Sequence, residues 1–230
     1  MFVYVALIEM HTLAGNMMKI FSFFPYSHIT FSFDEDLKSC HAIQAMNEYT
    51  PLVANYVNEN CSYYVRSDKK NKKIRIVKYK IPVTEEEKNK ISDFIEEYKN
   101  DKENLYNMYS AATYFVIRGF RIYKSMLCGE FIGKILTNIS SVKMIKPYYK
   151  MFPKDFYKCL SEYKIYEGNL DISNFSRNEE DIYFAKIKTT NYLKKGMYIL
   201  RELTYRLFFK KVSPKFDYKK ARLSIDDVKR

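Results

Sequence analysis

The feature that most constrains this chain is a change of apolar period. Up to residue 83 apolar residues come mainly in compact runs or at every second position; from Thr84 onward they recur at helical spacing. FVYVALI (2–8) is a compact apolar run suited to a buried strand. HITFSFD (28–34) sets Ile29, Phe31 and Phe33 against Thr30 and Ser32, as in a half-buried strand. DED (34–36) reads as its turn, and SCHAIQAM (39–46) as the returning strand. SYYVRSDKKNKKIRIVKYKIPV (62–83) reads as a β-hairpin. Its second arm opposes Ile74, Ile76, Lys78 and Lys80 to Arg75, Val77, Tyr79 and Ile81, and its basic loop is solvated. One helical interruption is expected over 11–24, where Leu13, Met17, Ile20, Phe21 and Phe24 lie near helical spacing before Pro25.

The second half reads as helices. VTEEEKNKISDFIEEYKN (83–100) opens with Thr84 and Glu87 as a capping box and carries Ile91, Phe94, Ile95 and Tyr98 as one apolar stripe. LYNMYSAATYFVIRGF (105–120) contains a further helical segment. KSMLCGEFIGKIL (124–136) leads into Phe131, Ile132, Ile135, Leu136 and Ile139 on one face, with Cys128 one turn earlier. FPKDFYKCLSEY (152–163) is expected as a short helix with Pro153 in its first turn and EGN as its end. The last sixty residues read mostly as helix, with Leu193, Met197, Leu200, Leu203 and Leu207 on one side of NYLKKGMYILRELTYRLFF. There is no internal repeat.

The 230 residues, of which 47% are hydrophobic, suffice for one substantial domain with an appendage and exclude a disordered chain. No apolar run reaches about 18 residues, which argues against a membrane-spanning helix. The first ten residues read as a strand rather than a signal peptide, so a cytoplasmic protein is expected. Cys40, Cys61, Cys128 and Cys159 are widely spaced and form no zinc pattern with histidine, so neither a disulfide framework nor a metal or other cofactor is expected. Of the net charge of +12, +8 falls between Lys194 and Arg230, where 12 Lys and Arg face 4 Asp and Glu. The basic character thus belongs to the tail, and an anionic partner such as nucleic acid or a membrane surface is one expectation for it.

A thiolate is favoured at a helix N-terminus by unpaired backbone N–H groups and the macrodipole, and the same N–H groups can receive an oxyanion. What such a cysteine needs in addition is a base. The histidines are His11, His28 and His41, all more than eighty residues before Cys128. His28 is best placed, because it opens an alternating strand and its ring can project over a neighbouring helix end. His41, on the returning strand, is a candidate third member if hairpin pairing brings it beside His28. Glu130 lies in the first turn, where a capping role competes with an acid near the site. Taken alone, a cysteine such as Cys128 at the buried edge of a helix is more often a small apolar core residue than a nucleophile.

PYSHITFSFD, LCGEFIGKIL, MFPKDFYKCL and YEGNL together resemble the permuted branch of the NlpC-type papain-like cysteine hydrolases, which includes relatives of lecithin-retinol acyltransferase. In that branch histidine precedes cysteine, as it does here. The resemblance covers roughly residues 1–170 and implies an α+β fold: a circularly permuted, papain-like antiparallel sheet packed against helices. Residues 171–230 lie outside it and are expected, from their own pattern, as a basic helical extension. It implies Cys128 as nucleophile, His28 as base and a third polar position near His41, while Gly129 stands where a small hydroxyl residue is implied. It further implies hydrolase (peptidase or amidase) or acyltransferase activity on a peptide, amide or lipid acyl substrate. The other expectation is an inactive binding module that uses the basic tail.

Overall fold

The computed structural model describes residues 1–228 apart from 12–14, 17–18, 21–22, 50–51, 66–72, 114–120, 174 and 176–179. Strands Phe2–Ile8 (β1), His28–Ser32 (β2), Cys40–Ala45 (β3), Ala54–Glu59 (β4), Lys73–Pro82 (β5) and Lys164–Asp171 (β6) form one sheet. Its order is β4-β3-β2-β1-β5-β6 and every neighbouring pair is antiparallel. Helices are Glu85–Asn100 (α1), Met108–Thr113 (α2), Cys128–Leu136 (α3), Pro153–Cys159 (α4), Thr189–Phe209 (α5) and Tyr218–Ala221 (α6). The protein is therefore mixed α+β, with helices packed on a six-stranded antiparallel sheet.

The sheet is covered on both faces, which explains why β1 is a continuous apolar run. Val3, Val5 and Leu7 join Ile29, Phe31, Val77 and Tyr79 under α1 and α3. Tyr4, Ala6 and Ile8 pack on the other face with Cys40, Tyr64, Ile74, Ile76 and Tyr183. This second layer also buries the polar side of β2, which the alternation alone leaves half-exposed: Thr30 and Ser32 are both 0% accessible. Their hydroxyls are satisfied internally, Thr30 Oγ1 donating to the His41 carbonyl at 3.4 Å and Ser32 Oγ to that of Ser39 at 2.7 Å.

Three expected elements take a different form. The first arm of the expected 62–83 hairpin is a 3-10 turn, Cys61–Tyr64, and β5 pairs instead with β1 and β6. The loop over 66–72 lies outside the described residues, as do parts of the helical segments expected over 11–24 and 105–120. EGN (167–169) belongs to β6 rather than to the end of α4, because a turn after Cys159 returns the chain to the open edge of β5. Residues 171–230 hold less helix than expected, and α5 buries Tyr192, Gly196, Ile199, Leu203 and Arg206 while Leu193 and Met197 face outward. The capping box on α1 is present: Glu87 N–H donates to Thr84 Oγ1 at 3.1 Å and Thr84 N–H to Glu87 Oε2 at 2.8 Å.

The C-terminal segment shares a core with the rest of the chain. Ile187, Ile199, Leu203 and Leu223 pack with Val53, Leu105 and Ile122. Leu105–Tyr106 and Ser125–Met126 form a short parallel ladder in the same region, and that ladder leads directly into α3.

Candidate active site

Cys128 is the first residue of α3, after Leu127 in an extended conformation. Leu127 N–H donates to Glu130 Oε2 at 2.8 Å, which steadies the turn that presents the cysteine. Behind it Phe131, Ile132, Ile135 and Leu136 are 0% accessible and anchor the helix on the sheet. Gly129 and Gly133 let neighbouring chain close in: a Cβ at Gly129 meets the Met151 carbonyl at 3.1 Å, and one at Gly133 meets Tyr148 Cβ at 2.9 Å. The close Met151 carbonyl explains the glycine after the cysteine. Cys128 itself is half-buried and reduced, at the wall of an apolar cleft.

His28 opens β2 opposite Ile8 and is 3% accessible. Its Nε2 lies 2.9 Å from Glu59 Oε1, which also accepts from Tyr64 Oη at 2.7 Å. Cys128 lines the same cleft and lies near enough to influence the ring. Burial disfavours a charged ring, but the Glu59 charge, the hydrogen bonds to Cys128 and Glu59 and a thiolate at Cys128 outweigh it and raise the imidazole from 6.5 to about 10. The residues thus stand in the order sulfur, imidazole, carboxylate, with Nε2 on the carboxylate. The other ring nitrogen remains for the sulfur.

His41 does not join this group, and the reason is register. Phe31 pairs with His41, and residues directly opposite in an antiparallel ladder share a face. His28 is three positions from Phe31, an odd number, so it projects from the opposite face. His41 Nδ1 instead lies 2.7 Å from Tyr56 Oη, among the rings of Phe31, Phe33 and Tyr56. Burial first, and then the charge of Lys99, lower its pKa. The same parity puts Glu59, paired with Cys40, on the face of His28. His11 lies apart from the group, in an isolated bridge to Val65.

Glu130 lines the cleft with its Oε2 on the Leu127 N–H and its Oε1 without a partner among the described residues. Burial, partly offset by that hydrogen bond and by Arg121, raises it from 4.5 to about 7. Tyr106 completes this wall; its phenol is pushed up by burial and then by the charges of Cys128 and Glu130. The other three cysteines are held in protein contacts. Cys40 and Cys61 are buried in the second core layer, Cys61 being pushed up to about 12 by burial first, and Cys159 Sγ contacts the Lys143 carbonyl at 3.1 Å.

Glu59 is the site residue that the sequence reading missed. It ends ANYVNE (54–59), a segment whose apolar pattern is broken by two asparagines. The available signal was an acid ending a short strand one strand beyond SCHAIQA. Comparison with family models, with characterised proteins and with solved structures finds no match to this chain. Among the described residues no helix is long and apolar enough to cross a membrane.

Proposed function

We propose that the protein is a cysteine-dependent hydrolase or acyltransferase of the circularly permuted papain-like type, with Cys128 as nucleophile, His28 as base and Glu59 in the third role. The observation that carries this reading is an imidazole held by a buried carboxylate in the same cleft as a cysteine at a helix N-terminus. His28 takes the Cys128 proton, which leaves an imidazolium beside the thiolate. The thiolate attacks the substrate carbonyl, a C–S bond forms, and the carbonyl electron pair moves onto oxygen. N–H groups in the first turn of α3 are suited to receive that charge. As the intermediate collapses, the bond to the leaving group breaks with its electron pair, and His28 supplies the proton. Neutral His28 then takes a proton from water, or from another acceptor, as it attacks the thioester. That step releases the acyl group and restores the thiolate. Glu59 holds the ring in place and favours its charged form.

Incubation with a thiol-reactive acyl probe is expected to place one acyl group on Cys128 and none on Cys128→Ala. Equal labelling of the two proteins would defeat the reading.

A second reading concerns the basic tail. Phe208 and Phe209 are 72% and 61% accessible and are followed by exposed Lys210 and Lys211, a combination suited to an anionic membrane surface. Co-sedimentation with phosphatidylserine vesicles that is lost in 0.5 M salt (roughly a 4 Å screening length) and in Phe208→Ser/Phe209→Ser supports it. Salt-sensitive binding to duplex DNA but not to vesicles assigns the charge to nucleic acid instead.

A further inference from the structure

We propose that the cleft beside Cys128 recognises its substrate through an amide group, and that Gln44 is the residue that reads it. The substrate is then peptide-like rather than a long lipid acyl chain. This deepens the hydrolase reading above and rests on it.

Gln44 is 4% accessible and lines the same cleft as His28 and Cys128. Neither its Nε2 nor its Oε1 has a hydrogen-bond partner among the described residues. A buried carboxamide with both halves unpaired costs stability and is uncommon, which points to a ligand that completes it. Its cross-strand neighbour Asn55 commits Nδ2 to the Asn104 carbonyl at 3.1 Å and makes no hydrogen bond to Gln44, its own Oδ1 being without a partner among the described residues.

What completes Gln44 must offer one acceptor to Nε2 and one donor to Oε1. A peptide or other secondary amide offers both, whereas an ester has no donor and leaves Oε1 unpaired. The backbone points the same way. Ile43, Gln44 and Ala45 all line the cleft, although side chains of consecutive strand residues alternate between faces. The edge of β3 itself therefore faces the cleft. Pairing between β2 and β3 is confined to Phe31 with His41 among the described residues, so no ladder to β2 occupies that edge beside Gln44. An extended peptide can lie along such an edge. The cavity measures about 110 Å³ and its walls include Met10, Leu127 and Met151. Pockets that enclose drug-sized ligands run to about 300 Å³ and above, so this one takes a small apolar group and not a long chain.

The test uses three chloromethyl ketones on the full chain: acetyl-glycyl-alanyl, its analogue with the glycyl-alanyl amide N–H replaced by oxygen, and a hexadecyl ketone. In each, the Cys128 thiolate forms a C–S bond while the C–Cl bond breaks and chloride leaves with the electron pair. Alkylation is followed by mass spectrometry. The amide reagent is expected to modify Cys128 at least about tenfold faster than either of the others, the value of roughly one satisfied hydrogen bond. In Gln44→Met and Gln44→Leu the amide and ester rates are expected to converge. A structural role for Gln44 predicts a lower melting temperature in these variants; removing an unpaired polar group predicts an equal or higher one. Equal amide and ester rates in the wild type, a faster hexadecyl reagent, or an amide preference that survives in Gln44→Met each overturn the proposal and leave the hydrolase reading standing. If His28→Ala reacts as fast as the wild type with every reagent, the hydrolase reading fails and takes this one with it.

Discussion

At the scale of single residues, the decisive group is a charged His28 held by Glu59. Its pKa, raised from 6.5 to about 10, gives a signed prediction. The folded state binds the proton more tightly, so the stabilisation is fully present below pH 6.5 and is lost as pH rises through 10. Activity that needs the imidazolium to protonate a leaving group should likewise decline near pH 10. Glu59→Gln should move that upper limb to lower pH and reduce kcat/KM by about 10²-fold or more, read from pH–rate profiles. An unmoved limb counts against Glu59 as the partner. Glu130 has the same sign in a lower window: its carboxyl, raised to about 7, makes stability fall progressively as pH rises from 4.5 to 7. Glu130→Gln should therefore flatten the pH dependence of unfolding over that range, by up to about 3 kcal/mol in urea titrations. Cys128 and His28 were legible because the chain has few histidines and one opens an alternating strand. Glu59 was not, since its role depends on strand parity and on long side chains meeting across a sheet face.

At the scale of elements, α3 is the mounting of the proposed nucleophile, and its two glycines set how close Tyr148 and Met151 approach. Gly133→Ala should lower stability by about 1–3 kcal/mol, because its Cβ lands 2.9 Å from Tyr148 Cβ, and the denaturation midpoint should fall with an unchanged m-value. No loss would mean that the 148–150 turn stands farther from the helix. Periodicity located β1, β2, β3, α1, α3 and α4 well, because each has a strong apolar face or a cap. It misjudged features set by what lies on top. Thr30 and Ser32 look like a solvated face until the segment carrying Tyr64 and Tyr183 covers that side of the sheet. Leu193 and Met197 look like core until Ile199 and Leu203 take that place. SYYV resembles a strand arm, yet Asn60 Oδ1 accepts from Ser62 N–H and starts a 3-10 turn.

At the scale of the whole molecule, the C-terminal segment is part of the scaffold that carries the site. Arg206 is 0% accessible, pairs with Glu202 at 2.8 Å and donates to the carbonyls of Glu103 at 2.6 Å and Lys124 at 3.2 Å. These carbonyls flank the short ladder from which Leu127 and Cys128 emerge. Arg206→Ala should cost about 3–5 kcal/mol, since it leaves Glu202 buried without its cation. Thermal unfolding unchanged from the wild type would contradict this. Truncation at residue 190 is accordingly a poor probe of tail binding, and exposed side chains such as Phe208 and Lys210 are better ones. The central claim is that Cys128 acylates with help from His28, and the most direct measurement is pre-steady-state release of p-nitrophenol from p-nitrophenyl acetate. The account predicts a burst approaching one equivalent with the acetyl group on Cys128, and a burst rate reduced on the order of 10²-fold in His28→Ala. No burst, an adduct on another cysteine, or an undiminished rate in His28→Ala would contradict it.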